Sequence, residues 1–175
     1  VAHPLPDKPS IAVLPFVNLN GDPKDDYISD GLTEQITTSL SSFHRLFVIA
    51  RNSSFVYKGK PVNIQQVSRE LGVNYVLEGS VRRSGDQLRI TAQLIDAGND
   101  EHLWSEIYNR DFSDIFSIQS EVAQNIASEL KATLTAEEKE QMRKVATVNT
   151  EAFDLYMQGR FFMHKLTMDG IIKSI

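Results

Sequence analysis

The stretch Tyr75-Val76-Leu77-Glu78-Gly79-Ser80-Val81-Arg82-Arg83-Ser84-Gly85-Asp86-Gln87-Leu88-Arg89-Ile90-Thr91-Ala92-Gln93-Leu94 decides the fold. Tyr75, Leu77, Gly79 and Val81 alternate with Val76, Glu78, Ser80 and Arg82. After the turn residues Ser84-Gly85-Asp86, Leu88, Ile90, Ala92 and Leu94 alternate with Arg89, Thr91 and Gln93. Successive side chains of a strand point to opposite faces, so this is an antiparallel hairpin with one apolar face and one polar face. A turn at Asp96–Asp100 leads into a third antiparallel strand, His102–Asn109, which carries Trp104 and Tyr108.

Working back toward the N-terminus, the period changes. Ser10–Phe16 is a short β-branched, apolar run and reads as a buried strand. Pro15 has no amide to donate, which puts it at the strand's end or on an edge. Asn18-Leu19-Asn20-Gly21-Asp22-Pro23 has the composition of a loop. The next helix starts with Asp22 as N-cap and Pro23 at the first position, or later, at Asp25 or Asp26. Ile28, Leu32, Ile36 and Leu40 form its stripe, with Phe43 beyond. Leu46–Ala50 is a second buried strand, and Arg51–Lys60 reads as a polar loop holding Phe55 and Tyr57. Asn63 with Gln66 three residues on has the form of a capping box. Ile64, Val67 and Leu71 are the stripe that follows, and Gly72 is a C-terminal stop.

Beyond the hairpin, Ile115, Ile118, Val122, Ile126 and Leu130 predict a long helix from about Asp114. Thr135, with Glu138 in the capping-box position, begins a charged segment that buries little. A further apolar-rich helix spans about Thr150–Leu166. The expected architecture is α/β: a mixed five-stranded sheet in β-α-β-α-β-β-β-α order with helices packed on it, plus a C-terminal helical extension. Strand–helix–strand connections favour parallel pairing, and the hairpin must be antiparallel. The expected divisions are a linker at 1–9 carrying Pro4, Pro6 and Pro9, the α/β domain at 10–132, a connecting helix at 133–149 and a helical repeat at 150–175.

Composition bounds the chemistry. The 175 residues are 41% hydrophobic and 23% charged, as in an ordinary soluble domain. A net charge of -5 argues against nucleic-acid binding by charge alone. The absence of cysteine removes disulfides, thiolate zinc sites and cysteine nucleophiles. No apolar run approaches the ~20 residues of a membrane helix. Val1 stands in place of an initiator Met, so the chain reads as a piece of a longer one. His3, His44, His102 and His164 have no metal-binding spacing, and neither G-x-G-x-x-G, the P-loop pattern nor G-x-S-x-G occurs. No catalytic residue, metal or cofactor is expected.

Three constellations remain. If the first two strands are parallel, the loops after them share one edge, where ligands of open α/β sheets bind. Asn18, Asn20, Asp22, Arg51, Asn52, Ser53 and Ser54 then form a candidate edge for a small polar or anionic ligand; the same residue types also cap ordinary turns. Asp22, Asp25, Asp26 and Asp30 are carboxylates of the kind that hold Mg²⁺ or Ca²⁺, and they also suit the positive end of a helix. Arg82, Arg83 and Arg89 on the hairpin form a candidate basic face, or the solvated side of a half-exposed sheet.

At the C-terminus, Leu155, Gly159 and Phe162 keep the first-helix spacing of a tetratricopeptide repeat, with Ser174 where alanine is usual. The runs Ser10–Phe16 with Asn18–Pro23, Phe47–Gly59, Glu70–Arg83, Arg89–Asp96, His102–Tyr108 and Asp114–Phe116 resemble, in order, a bacterial module related to the amino-terminal domain of TolB. The resemblance implies a module in the middle of large signalling proteins. Upstream stands a class III adenylate/guanylate cyclase or a winged-helix DNA-binding domain, and downstream stand tetratricopeptide repeats. The lead-in Pro4–Pro9 is most similar to the linker after a cyclase domain, which implies a cytoplasmic location; a winged-helix relative with a membrane span implies a periplasmic one. The resemblance brings no catalytic residues.

The expected function is a non-catalytic regulatory module that binds a ligand or protein partner, or self-associates through a sheet edge or the Asp114–Leu130 helix, without nucleic acid or membrane contact. The alternatives are the same module in a transcriptional regulator, and a small metal-assisted enzyme.

Overall fold

The hairpin is the longest regular feature of the computed structural model, which describes residues 8–130. Its arms are β4 (Tyr75–Ser84) and β5 (Gln87–Asp96), paired over their full length from Tyr75↔Asp96 to Ser84↔Gln87. Gly85 has φ +61°, the positive value a two-residue hairpin turn demands. The third antiparallel strand is β6 (Glu101–Asp111), with a bulge at Leu94/Ile95.

Upstream lie β1 (Ser10–Val13), β2 (Val17–Asn18), α1 (Asp26–Ser41), β3 (Phe47–Val48), α2 (Arg51–Ser54) and α3 (Ile64–Leu71); α4 (Ile115–Glu129) closes the described chain. β1 lies parallel between β3 and β4, giving the order β3-β1-β4-β5-β6. The sheet is mixed, as expected, and has six strands rather than five. The extra strand is β2, in the segment that reads as the start of a loop. It pairs parallel with β4, Val17↔Ser80 and Asn18↔Val81. One further expectation changes. Arg51–Lys60 is not a loop: α2 and a 3₁₀ turn at Phe55–Tyr57 occupy most of it. Pro23 opens a 3₁₀ turn capped by Asp22, and the α-helix begins only at Asp26.

The apolar stripes account for the layers. Ile28, Leu32, Ile36 and Leu40 of α1 and Ile115, Ile118, Val122 and Ile126 of α4 are fully buried against one sheet face, with Leu77, Val81, Ile90 and Leu94. Because the α4 stripe is spent on this core, it is not available for self-association. α3 covers part of the other face, where Val67 and Val73 meet Ala12, Leu14 and Val76. Asn63 caps α3 by accepting from the Gln66 amide at 3.1 Å, and Gly72 ends it at φ +69°. The box is half-made, because the Gln66 side chain turns forward to Glu70 at 2.8 Å.

Between β1 and β2 the chain shifts register by one residue against β4, from Val13↔Leu77 to Val17↔Ser80. The shift swings Phe16 inward. Its amide donates to the buried Thr33 hydroxyl on α1 at 3.0 Å, and that hydroxyl donates to the Ser29 carbonyl at 2.7 Å. The Phe16 ring fills the space beside Gly79: a Cβ there would lie 2.3 Å from the Thr91 carbonyl oxygen and 2.7 Å from the ring. Gly79→Ala is therefore expected to destabilise the fold by about 1–3 kcal/mol, the usual range for overpacking. Urea midpoints of the two proteins check this, and an unchanged midpoint would show that the ring yields freely.

Candidate functional site

The two loops expected to form a ligand edge do follow the carboxyl ends of the parallel strands β1 and β3. Most of their polar groups are already engaged. Asn18 donates to the Asp22 carbonyl and to Asp26, both at 2.8 Å, and accepts from the Asn20 amide at 3.0 Å. Asn20 donates to Asp25 at 3.0 Å and accepts from the Arg83 amide at 3.1 Å. Asp22 caps Lys24 at 3.0 Å. The buried Ser54 hydroxyl donates to the Arg51 carbonyl at 3.1 Å, while Asn52 and Ser53 are exposed on α2. Turn capping dominates here.

The carboxylates are distributed differently from a metal cluster. Asp26, Asp30 and Glu34 recur every four residues along α1, so they form one row on its surface. Each holds a different segment: Asp26 takes Asn18, Asp30 takes Lys58 at 2.5 Å, and Glu34 takes Arg51 at 3.4 Å. Arg51 also lies over the Phe55 ring, 3.9 Å from its centroid. Among the described residues no group of three or more His, Asp or Glu is placed to hold a metal ion. The metal-assisted reading of Asp22, Asp25, Asp26 and Asp30 is thereby removed, and so is a helix-end role for Asp30. That residue is buried a full turn into α1, and its Oδ1 lacks a hydrogen-bond partner among the described residues.

A groove of about 820 Å³ opens nearby, within the size range of small-molecule sites. Leu14, Phe16 and Val17 line one side and Tyr57–Val62 the other. Glu78, Ser80, Thr91 and Gln93 form its polar floor. The Tyr57–Val62 strap is tied to helices on both faces of the sheet. Lys58 reaches Asp30 of α1, and the Tyr57 hydroxyl bonds Glu70 of α3. Burial and the adjacent Glu70 carboxylate push that hydroxyl up to about 12. Of the seven residues expected at the ligand edge, only Asn18 lines this groove. The strap escaped the sequence reading because its residues converge on the groove only through the packing of α1 and α3. The one sequence signal was the pair of aromatics in an otherwise polar stretch.

The expected basic face divides. Arg82 and Arg89 are directly opposed on the uncovered face of the hairpin. Arg83 points to the opposite face, over the Phe112 ring at 4.9 Å, 3.9 Å from Asp25 and 3.3 Å from the Tyr27 hydroxyl. It belongs to the fold's internal ties and not to a basic surface. His44 and His102 are both exposed; His3 and His164 lie outside the described residues.

With this geometry in hand, comparison with known proteins is specific. The model of the HilA/YgeH-like transcriptional regulator second domain matches residues 7–129. The chain belongs to this family. A relative in Rhizobium meliloti (strain 1021), named “Putative adenylate cyclase 3”, is 55% identical over 156 residues; these are 89% of this chain and 27% of that protein. The chain thus spans about a quarter of that relative's length. Among solved structures, TolB from Acinetobacter baumannii superposes with a TM-score of 0.52 at 24% identity, covering 71% of this chain and 29% of that one. Lipoprotein GNA1162 from Neisseria meningitidis gives 0.51 at 21% identity, covering 67% and 96%.

The expected likeness to TolB therefore holds as a likeness of fold, and the family itself is the HilA/YgeH-like second domain. No helix among the described residues is long and apolar enough to cross a membrane. The linker before Lys8, the connecting helix at 133–149 and the repeat at 150–175, with Leu155, Gly159, Phe162 and Ser174, lie outside the described residues.

Asp30 supplies a pH signature of the strap. Burial raises its carboxyl above the usual range. The Lys58 hydrogen bond and charge pull it down, Asp26 raises it and Arg51 lowers it, and the net shift is upward. A carboxyl with a raised folded-state pKa contributes stability that is fully present below the unfolded pKa. That contribution is lost as pH rises through the folded value. Relative to Asp30→Asn, the wild-type chain should thus lose unfolding free energy as pH climbs from about 4 toward neutrality. Urea titrations of both proteins across that range test it, and a difference that stays flat with pH would refute the shift.

Proposed function

We propose that this chain is the non-catalytic regulatory module of a longer bacterial signalling protein, most plainly one of the class III adenylate/guanylate cyclase type. It relays binding of a ligand or protein partner at its groove to an output domain. One observation carries the reading: the domain matched over residues 7–129 is described from transcriptional regulators, yet the 55% identical relative is named as a cyclase. A domain that recurs beside different outputs is a shared input or relay.

The groove supports the same reading. It is bounded by α1, the Leu14–Asn18 segment that includes β2, the Tyr57–Val62 strap and the hairpin, and the strap is held by side-chain ties that a bound molecule can load or release. On this reading the module is cytoplasmic, where a cyclase finds its nucleotide, and it works without cofactor, nucleic-acid or membrane contact. The family description favours one second reading, in which the output is a DNA-binding domain of a transcriptional regulator.

The test compares cyclic-nucleotide synthesis by the isolated chain, by the full-length protein containing it, and by that protein lacking residues 10–130. The isolated chain should be inactive. The deletion should keep basal synthesis and lose its regulation. Cyclic-nucleotide synthesis by the isolated chain, or regulation that survives the deletion, would overturn the proposal. A full-length protein that binds operator DNA and makes no cyclic nucleotide would establish the second reading.

A further inference from the structure

The uncovered face of the hairpin is a ladder of four opposed pairs: Glu78 with Gln93, Ser80 with Thr91, Arg82 with Arg89, and Ser84 with Gln87. Three rungs are engaged within the chain. Gln93 bonds Glu78, Ser80 and Thr91 share a hydroxyl hydrogen bond of 2.5 Å, and Gln87 reaches Asp111 on β6. The arginine rung is different. Among the described residues, neither Arg82 nor Arg89 makes a side-chain hydrogen bond, ion pair or ring contact, and both are exposed.

Three other guanidiniums are engaged within the fold, whereas the exposed Arg45 and Arg69 stand singly and not opposite a like charge. Arg51 has Glu34 and the Phe55 ring, Arg83 has Asp25 and the Phe112 ring, and Arg110 has Glu121 at 2.6 Å and the Tyr108 ring. Like charges directly opposed across a sheet, with Cβ atoms about 5 Å apart, destabilise it. The arginine rung therefore works against the free fold, in a chain whose net charge is -5. A carboxylate from outside removes that repulsion and matches the planar donor fork.

The surroundings select the kind of acid. One rung along, about 7 Å away, Ser80 and Thr91 form part of the groove floor. Exposed aliphatic side chains flank the path. Val17 (57% exposed) and Val62 (37%) stand at the groove, and Ile107 (51%) lies opposite Thr91 on β6. In an extended peptide, side chains two residues apart on one face have this same spacing of about 7 Å. A polyphosphate has no use for aliphatic flanks. A nucleic-acid strand wants exposed aromatic platforms, whereas the large exposed hydrophobics here are aliphatic apart from Phe47 on the far edge strand.

We propose that the Arg82–Arg89 rung and the adjoining groove dock an extended acidic segment of a partner protein. Its carboxylate bridges the two guanidiniums, and an apolar side chain two or four residues away sits between Val17 and Val62. The inference rests on the interaction-module reading and names the partner's chemistry.

The probe is a short fluorescein-labelled peptide with one aspartate followed two and four residues later by valine. Its anisotropy is read against the 175-residue chain. The peptide should bind and weaken with added salt. Replacing its aspartate by asparagine, or using the Arg82→Ala/Arg89→Ala double variant, should weaken binding by about tenfold or more, as for truncation of a charge-pair partner. The variant should melt no lower than the wild-type chain, since it loses only a repulsive pair. Absence of binding, or equal binding by the double variant, would overturn the proposal. So would displacement of the peptide by millimolar inorganic phosphate or by a single-stranded oligonucleotide, which would mark an anion or nucleic-acid site instead. The readout needs no output domain, so its failure is distinguishable from failure of the relay assay.

Discussion

Phe16 sits where a side chain on residue 79 would otherwise be, and much of the structure depends on that exchange. A glycine in a strand interior weakens the strand unless something packs into the vacated space. Here a phenylalanine does so, brought in by the one-residue register shift between β1 and β2. The same residue's amide is held by Thr33, so the sheet and α1 are joined at the point where the parallel and antiparallel halves meet. Phe16 and Gly79 also line the groove, which makes the site's inner wall part of the core.

The helix α1 serves two surfaces at once. Its apolar stripe carries the core, and its acidic row holds Asn18, Lys58 and Arg51 in turn. The more exposed members of such a row gain little from their pairs. Asp30 is different, because burial penalises its charge and leaves Lys58 as its compensation. The strap that walls the groove is thus attached through a tie with opposing contributions.

The legibility of the sequence followed the range of the physics involved. Local rules recovered the hairpin, the three apolar helical stripes, the Asn63 cap and the Gly72 stop, because each rests on neighbours within a few residues. β2 was missed because two residues have no period to show. The helical turns in Arg51–Tyr57 were missed because only Ser54 there is buried, so there is no apolar stripe to see. For the candidate site, composition singled out the loops after the parallel strands and the hairpin arginines, of which only Asn18 lines the groove. It did not show which polar groups were already satisfied.

The sequence by itself determined the α/β class, the antiparallel half of the sheet and which helical faces are buried. Periodicity of 2 or 3.6 residues is sufficient for that. Tertiary structure decided what each polar group is for. It turned Asp30 from a helix-end acid into the buried anchor of a strap. It sent Arg83 to the core side while leaving Arg82 and Arg89 opposed and unpaired, and it assembled a groove from residues as far apart as Leu14 and Ser105. The reason is that hydrogen bonds and ion pairs between distant segments exist only after the strands have chosen their register and the helices their faces.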